Sequence, residues 1–224
     1  MTENISIKAV IFDMDGLILD SQRIAIKVWQ NAVSFYGYTM SVEENLLLIG
    51  RNIADSTEIL YSLFGSEFPI EKIRKHARQQ FLNYVKENGI PIKSGLIKLL
   101  NFLDEKTVST AVATSTSRDD CIMNLNKCDL THRFKIIVCG DEVSFGKPEP
   151  DLFLKAAGLL QAPPKSCIVL EDSFAGIRAA YAADMIPIMV PDLLEPTDEI
   201  KSLAHIVVPS LNEAKLEIEK LLYN

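Results

Sequence analysis

The sequence predicts an α/β protein in which a doubly wound parallel sheet carries an inserted helical domain. Short, nearly all-apolar segments recur along the chain and alternate with stretches of helical periodicity, as expected for parallel strands covered by helices on both faces. One long interval shows helical spacing without a strand signal, which indicates an insertion. The chain has 224 residues, enough for one large domain or for a core with a smaller domain inserted into it.

Six segments are predicted as strands because their apolar residues are continuous. The first, residues 7–12 (IKAVIF), ends directly before Asp13. The others are residues 108–113, 136–139, 167–170, 186–190 and, with a weaker signal, 206–208. The helices predicted between them cover residues 95–105, 118–128, 150–160 and 176–183. Strand alternating with helix in this order favours a parallel sheet.

The insertion is predicted from three stretches of helical spacing, at residues 24–36, 54–64 and 70–85. Gly89, Pro91 and Gly95 mark the return to the sheet. The predicted division is a core of residues 1–18 and 92–224 and a helical domain of residues 19–91. The two connecting segments, near residues 16–21 and 90–95, are predicted to form a hinge.

The charge balance argues against polyanionic partners. The 23 basic and 30 acidic residues give a formal net charge of −7, and the isoelectric point is about 5.1. The overall field therefore repels nucleic acid and anionic membrane surfaces, and a small anionic substrate has to be bound by a local cation. We expect a monomer with neither a nucleic-acid nor a membrane partner.

Cysteine usage and the lack of targeting patterns indicate a cytoplasmic protein. The four cysteines form no C-x-x-C pair, and Cys128 with His132 has no second ligand pair nearby, which argues against structural zinc. We predict reduced thiols. Residues 1–10 lack the pattern of a secretory signal, and no run of about 18 apolar residues occurs.

Chemistry is expected at the carboxyl ends of the strands, where open parallel sheets bind their ligands. Asp13-Met14-Asp15-Gly16 follows the first strand. Asp13 can attack phosphorus and form an aspartyl-phosphate, while Asp15 can protonate the leaving oxygen and later deprotonate the hydrolytic water. Two such close carboxylates also favour a divalent cation, Mg²⁺ in particular. A simple polar turn is the alternative. A calcium loop is rejected because Ile24 stands where its closing Glu belongs.

Three further strand-like segments lead into residues suited to phosphate or metal. Thr114 and Ser115 open a hydroxyl-rich segment before a predicted helix, Lys147 lies between Gly146 and Pro148, and an acidic pair follows residue 170. The hydroxyls can face an anion or form a helix cap, and the lysine can neutralise phosphate oxygens or be an ordinary surface residue. The acidic pair, Glu171 and Asp172, can complete a metal site or cap a helix.

Taken together, the four motifs resemble those of the haloacid dehalogenase superfamily over nearly the whole chain. They are Asp13-Met14-Asp15-Gly16, Thr114 with Ser115, Lys147-Pro148 and Glu171-Asp172. Residues 174–180 (FAGIRAA) also resemble the segment after the last acidic motif in the subgroup with a helical cap after the first motif. That subgroup contains sugar-phosphate phosphatases, β-phosphoglucomutase, phosphonate hydrolases and dehalogenases.

The resemblance implies a Rossmann-like core and a mobile helical cap, here residues 19–91. It also implies Mg²⁺ bound by the Asp13 carboxylate, the Asp15 main-chain carbonyl and Asp172, with Glu171 as a secondary acidic residue near the metal. Thr114 and Lys147 would hold the phosphate, together with the neighbouring Ser115.

The same resemblance favours phosphate-ester chemistry, because dehalogenases and phosphonate hydrolases of this kind do not keep a second Asp like Asp15. Related mutases typically carry a Thr and a His six and ten positions after that Asp, where this chain has Ser21 and Ala25. We expect a phosphatase for a sugar phosphate or a nucleoside monophosphate, with a phosphoglucomutase-like enzyme as the alternative.

Arg51 is the candidate substrate contact in the cap, because it is a cation in the otherwise apolar segment LLLIGRNI. An ordinary surface arginine is the alternative. Two non-enzymatic interpretations also stay open. A signalling receiver domain combines similar residues at strand ends but lacks inserted helices, and a catalytically idle binding module would not need every motif residue.

Overall fold

A six-stranded parallel sheet forms the centre of the computed structural model, which describes residues 6–223. Residues 1–5, part of the stretch interpreted above for a targeting signal, lie outside this range. The strands are β1 (Ala9–Phe12), β2 (Ser109–Ala113), β3 (Ile136–Val138), β4 (Cys167–Glu171), β5 (Ile186–Met189) and β6 (Ile206–Val207). Their order in the sheet is β3-β2-β1-β4-β5-β6. The predicted parallel α/β fold is confirmed.

Ten α-helices are described between and beside the strands. The first four, α1 (Gln22–Phe35), α2 (Val42–Leu46), α3 (Ile53–Phe64) and α4 (Ile70–Asn88), fall in the predicted insertion. The other six are α5 (Leu96–Glu105), α6 (Arg118–Lys127), α7 (Asp151–Leu160), α8 (Phe174–Ala182), α9 (Asp198–Leu203) and α10 (Leu211–Tyr223). The sequence interpretation named neither α2 nor the last two helices. None of the helices in this range has both the length and the apolar character that a membrane crossing needs.

The central strand β1 shows why the sheet is covered on both faces. Its side chains alternate between two apolar clusters, because successive residues of a strand point to opposite faces. Val10 and Phe12 pack in the cluster that contains Leu99 of α5. Ile11 packs on the other face, in the cluster that contains Phe153 of α7. All four strand residues of β1 are fully buried, as expected for a strand with neighbours on every side.

Helices α1 to α4 enclose an apolar cluster of their own. Ala32 of α1, Leu60 of α3 and Ile73 of α4 are fully buried in it, and Phe64 and Phe68 stack at its edge with ring centroids 4.6 Å apart. Burial of this kind stabilises short helices that propensity alone would not hold. The boundaries of a separate cap domain at residues 19 and 91 stay a prediction.

The two segments that connect these helices to the sheet lie side by side. Leu19 and Ile92 form an antiparallel bridge, and the Asp20 amide donates to the Pro91 carbonyl at 2.8 Å. Two cations then converge on the side chain of Asp192, which follows β5. Arg23 donates to it at 2.6 Å and Lys93 at 2.9 Å. This ion cluster fixes the start of α1 beside the carboxyl end of the sheet.

Candidate active site

The register of the sheet brings three of the four motifs to one edge. Phe12 of β1 pairs with Val112 of β2 and with Leu170 of β4. The residues that follow these positions therefore emerge side by side, because the three strands are parallel neighbours. The fourth motif, at Lys147, comes from the loop between β3 and α7.

Lys147 lies between two buried carboxylates. Its side chain is fully buried, and its Nζ donates to Asp13 Oδ1 and, at 2.5 Å, to Glu171 Oε1. Glu171 is held from its other side, where Oε2 accepts hydrogen bonds from the amide and the hydroxyl of Ser173, each at 2.8 Å. The carboxylate of Glu171 is thus occupied by protein donors, which favours a role in orienting Lys147.

The charges in this group do not balance. Burial alone would lower the pKa of the Lys147 ammonium, but the charges of Asp13 and Glu171 outweigh it and raise that pKa above its ordinary value. Burial raises the pKa of the Asp13 carboxyl to about 8, and Lys147 opposes this only in part. A further positive charge at the site would lower the pKa of Asp13 and favour its ionised form.

Asp15 is half-buried, and both of its carboxylate oxygens are held. Ser21 Oγ donates to Oδ1 at 2.6 Å, and Thr116 Oγ1 donates to Oδ2 at 2.7 Å. Ser21 directly precedes α1, and Thr116 follows β2. The carboxylate is therefore oriented by two different parts of the chain. Hydroxyls both donate and accept, so these contacts suit either protonation state of Asp15.

Asp172 is buried, and only one of its two carboxylate oxygens accepts a hydrogen bond among the described residues. Its Oδ2 accepts a hydrogen bond of 2.6 Å from Gln22 Nε2, and the same amide donates to the Asp15 carbonyl at 2.9 Å. Asp172 Oδ1 has no hydrogen-bond partner among the residues described. Burial and the charges of Glu171 and Asp13 raise the pKa of Asp172 well above its ordinary value, against the hydrogen bond from Gln22.

The residues present fit a magnesium ion. Asp13, Glu171 and Asp172 each offer an oxygen, and these atoms lie within 4.8 Å of one another. The unpartnered Oδ1 of Asp172 and the raised pKa of two carboxyls are what a cation would relieve. Carboxylate and carbonyl oxygens are the ligands that Mg²⁺ prefers. Asp13 and Asp172 are the carboxylates of this cluster that could hold it, and the Asp15 carbonyl is the further ligand that the resemblance implies.

The three predicted phosphate ligands, Thr114, Ser115 and Lys147, make different contacts in the structure. Thr114 is buried, and its Oγ1 accepts a hydrogen bond from the Thr116 amide at 3.2 Å. Lys147 reaches the site through the contact with Asp13. Ser115 Oγ instead donates at 3.0 Å to the carbonyl of Gly50, in the loop before α3. In this arrangement the Ser115 hydroxyl joins the helical insertion to the sheet.

A cavity of about 450 Å³ opens above these residues. Asp13, Asp15, Thr114 and Ser115 line it from the sheet. The side that faces them is formed by residues of the helical insertion, among them Trp29, Asn45, Arg51, Phe81 and Leu82. The cavity is thus polar at its sheet side and mixed on the opposite side.

Arg51 and Arg78 line this cavity in different states. No carboxylate within residues 6–223 lies within 4.0 Å of the Arg51 guanidinium. Arg78 of α4 forms an ion pair of 2.6 Å with Asp120 of α6, which joins the insertion to the sheet side at the cavity wall. Arg74, which also lines the cavity, pairs with Glu71 at 3.0 Å, so Arg51 is the arginine of this wall without an ion pair among the described residues.

Ser21, Gln22 and Thr116 belong to the site but were not assigned roles from the sequence. The sequence does point to Thr116 as a site residue, since it lies in the hydroxyl-rich segment after β2. For Ser21 the sequence indicates only that it stands in the place of a mutase threonine. Nothing in the sequence points to Gln22 as a site residue, because a glutamine at the start of a helix is common and carries no charge.

Comparison with known proteins places the chain among phosphate-processing enzymes. Residues 10–190 match the family model described as haloacid dehalogenase-like hydrolase. A phosphorylated carbohydrates phosphatase of Thermotoga maritima is 29% identical over 180 residues, which cover 79% of this chain and 81% of that protein. A protein of Drosophila melanogaster named probable pseudouridine-5'-phosphatase is 34% identical over 189 residues, covering 81% and 80%. The structure of β-phosphoglucomutase from Clostridium difficile superposes with a TM-score of 0.81 at 25% identity, covering 97% of both chains.

Lys147→Met is predicted to destabilise the protein, because it leaves two buried carboxylates without their shared cation while keeping most of the side-chain volume. We expect the free energy of unfolding to fall by about 3–5 kcal/mol, measured by urea denaturation followed by circular dichroism. Lys155→Met is the control, since the exposed Lys155 ammonium donates only to the Glu142 carbonyl among residues 6–223. Equal, small losses for both variants would contradict the structural role of Lys147.

Proposed function

Because this chain belongs to the family of haloacid dehalogenase-like hydrolases, we propose that it is a magnesium-dependent phosphatase for a small phosphorylated metabolite. The family expected from the four motifs is confirmed. The observation that carries the proposal is the pairing of two differently held aspartates. Asp13 lies against the buried ammonium of Lys147. Asp15, two residues further along the chain, is oriented by the hydroxyls of Ser21 and Thr116.

In the first step, a carboxylate oxygen of Asp13 attacks phosphorus. A bond forms between Asp13 and phosphorus, and the bond from phosphorus to the leaving oxygen breaks. Asp15 donates its proton to that oxygen, so the product leaves as an alcohol. Lys147 and Thr114 are assigned to the phosphate oxygens, where the lysine compensates negative charge.

In the second step, water attacks the phosphorus of the aspartyl-phosphate. Asp15, now ionised, takes a proton from the water, and the bond between Asp13 and phosphorus breaks. Inorganic phosphate leaves, and both aspartates return to their starting states. When bound, Mg²⁺ would supply positive charge against the phosphate and help to keep Asp13 ionised. Asp13, Asp172 and the Asp15 carbonyl are proposed as its ligands, with Glu171 beside them.

The substrate is proposed to be a sugar phosphate or a nucleoside monophosphate. The cavity of about 450 Å³ accommodates a small metabolite. The proteins of Thermotoga and Drosophila described above carry names of that class. Arg51 is proposed as the substrate contact in the cap because it lines the cavity and has no ion pair among the described residues.

Residues 19–91 are proposed as a cap that closes over the reacting group and excludes bulk water. The contacts of Ser115 with Gly50 and of Arg78 with Asp120 join this part of the chain to the sheet at the cavity wall. Closure of this kind strengthens electrostatic interactions at the phosphate, because fewer water molecules screen them.

A phosphoglucomutase-like enzyme is the second candidate, favoured by the likeness to the Clostridium difficile structure. It would return the phosphoryl group to a sugar hydroxyl instead of water. Ala25 argues against this, because it lines the cavity where the mutases carry a histidine.

The test is phosphate release from a panel of sugar phosphates and nucleoside monophosphates, with Mg²⁺ present or chelated by EDTA. We expect release that depends on the metal and differs among substrates. Conversion of β-glucose 1-phosphate to glucose 6-phosphate is assayed in parallel. Isomer conversion without release would favour the mutase, and neither activity on any substrate would contradict the proposal.

Asp13→Asn is predicted to abolish turnover while preserving the fold, because it removes the nucleophile's charge with little change in volume. Steady-state phosphate release and circular dichroism measure the two effects. Asp119→Asn is the matched control, since Asp119 is exposed on α6. Near-wild-type turnover of Asp13→Asn would reject the covalent assignment.

Asp15→Asn is predicted to lower turnover by about 10²–10⁴-fold, the usual contribution of a general acid and base. The phosphorylated enzyme should accumulate only if loss of water activation slows the second step more than the first. Acid quenching followed by mass spectrometry measures that species. Unchanged rates on every substrate would remove Asp15 from its assigned role.

A further inference from the structure

The side chain of Gln22 joins two of the three groups that are proposed above as metal ligands. Its Nε2 lies 2.6 Å from Asp172 Oδ2 and 2.9 Å from the Asp15 carbonyl oxygen. Asp15 follows β1 and Asp172 follows β4, whereas Gln22 is the first residue of α1. A single amide from the helical insertion therefore spans the ends of two neighbouring strands.

These contacts leave acceptor capacity for a cation on both groups. A carbonyl oxygen has two lone pairs, so the amide of Gln22 occupies only part of what the Asp15 carbonyl offers. Asp172 uses Oδ2 for the amide, and its buried Oδ1 has no partner within the described chain. The amide thus holds one oxygen of Asp172 in place while the other stays available.

Gln22 is an unfavourable choice if its role is packing alone. Its own Oε1 is buried and has no hydrogen-bond partner among residues 6–223, and an unpaired buried carbonyl destabilises a fold. An apolar side chain of similar length would fill the space without that loss. The amide is also closely confined, because a Cβ at Gly16 would lie 2.7 Å from Gln22 Cδ, and Gly16 has a φ of +92°.

We propose that Gln22 is a positioning residue for the metal site, which orients Asp172 and the Asp15 carbonyl so that their free acceptors face one cation. The amide does this without adding charge, so it neither repels the cation, as a lysine would, nor competes as another carboxylate. The inference rests on the metal dependence proposed above. It goes beyond that proposal because it assigns the metal affinity partly to a residue of the helical insertion.

The test measures Mg²⁺ binding by isothermal titration calorimetry, without substrate, for the wild-type chain and Gln22→Met. Methionine keeps the length of the side chain and removes both donors. We expect the dissociation constant to rise about 10–100-fold, the usual effect of losing a group that orients a metal ligand. Raising the Mg²⁺ concentration should restore phosphate release by Gln22→Met, which a general disruption of the site would not allow.

Gln30→Met is the matched control. Gln30 lies on the same helix, and its Nε2 donates to the Met40 carbonyl at 3.0 Å, away from the sheet edge. Its Mg²⁺ affinity should stay within about twofold of wild type, a range well below the expected effect. Circular dichroism checks the folding of both variants, and Gln22→Ala replaces Gln22→Met if the latter does not fold.

An unchanged dissociation constant in the Gln22 variant would overturn the inference. A lower dissociation constant for Mg²⁺ would also overturn it, because it would mean that the amide competes with the cation. The calorimetric result separates this inference from the proposed function. Phosphate release by the wild type with an unaffected Gln22 variant rejects only the inference, whereas weakened Mg²⁺ binding without phosphate release on any substrate rejects only the phosphatase.

Discussion

The site depends on one constraint, which is that an ammonium group is buried at the carboxyl edge of the sheet between two carboxylates. Lys147 is fully buried, and such a charge is tolerated only with close partners. Asp13 and Glu171 provide them from neighbouring strands, and the donors of Ser173 hold Glu171 in turn. The position of Asp13, the proposed nucleophile, is therefore set by a charge network whose members come from three different parts of the chain.

The first turn of α1 connects this network to the helical insertion. Ser21 and Gln22 contact the side chain and the main chain of Asp15, and Gln22 also contacts Asp172. Immediately after them, Arg23 pairs with Asp192 on the sheet side. Any rotation of the insertion about its connecting segments would have to carry these contacts along or break them. The geometry of Asp15, the proposed acid and base, is thus tied to the position of α1.

Much of this arrangement follows from the sequence, for identifiable reasons. The strand before Asp13 was predicted because a buried parallel strand is a continuous apolar run, and the charged motifs stood out because they follow such runs. Gln22 could not be found in this way, since its role depends on a contact with Asp172, 150 positions away. Helix α10 was not named, although Ala214 and Ile218 of its buried face are four positions apart. Ser115 was assigned to phosphate from its neighbours, and only the structure shows its hydroxyl on the Gly50 carbonyl.

The fate of the phosphoryl group is decided by what can approach the aspartyl-phosphate from the cavity. A sugar hydroxyl would need to be positioned beside Asp15 by the opposite wall, and a base or a cation there would have to hold it. Ala25 offers neither, whereas Arg51 on the same wall is a cation without an ion pair among the described residues. Water needs no such positioning group beyond Asp15, whose carboxylate is already oriented by Ser21 and Thr116. Ala25 cannot act as a base toward a sugar hydroxyl and therefore favours transfer to water, while Arg51 on the same wall is left to contact the substrate.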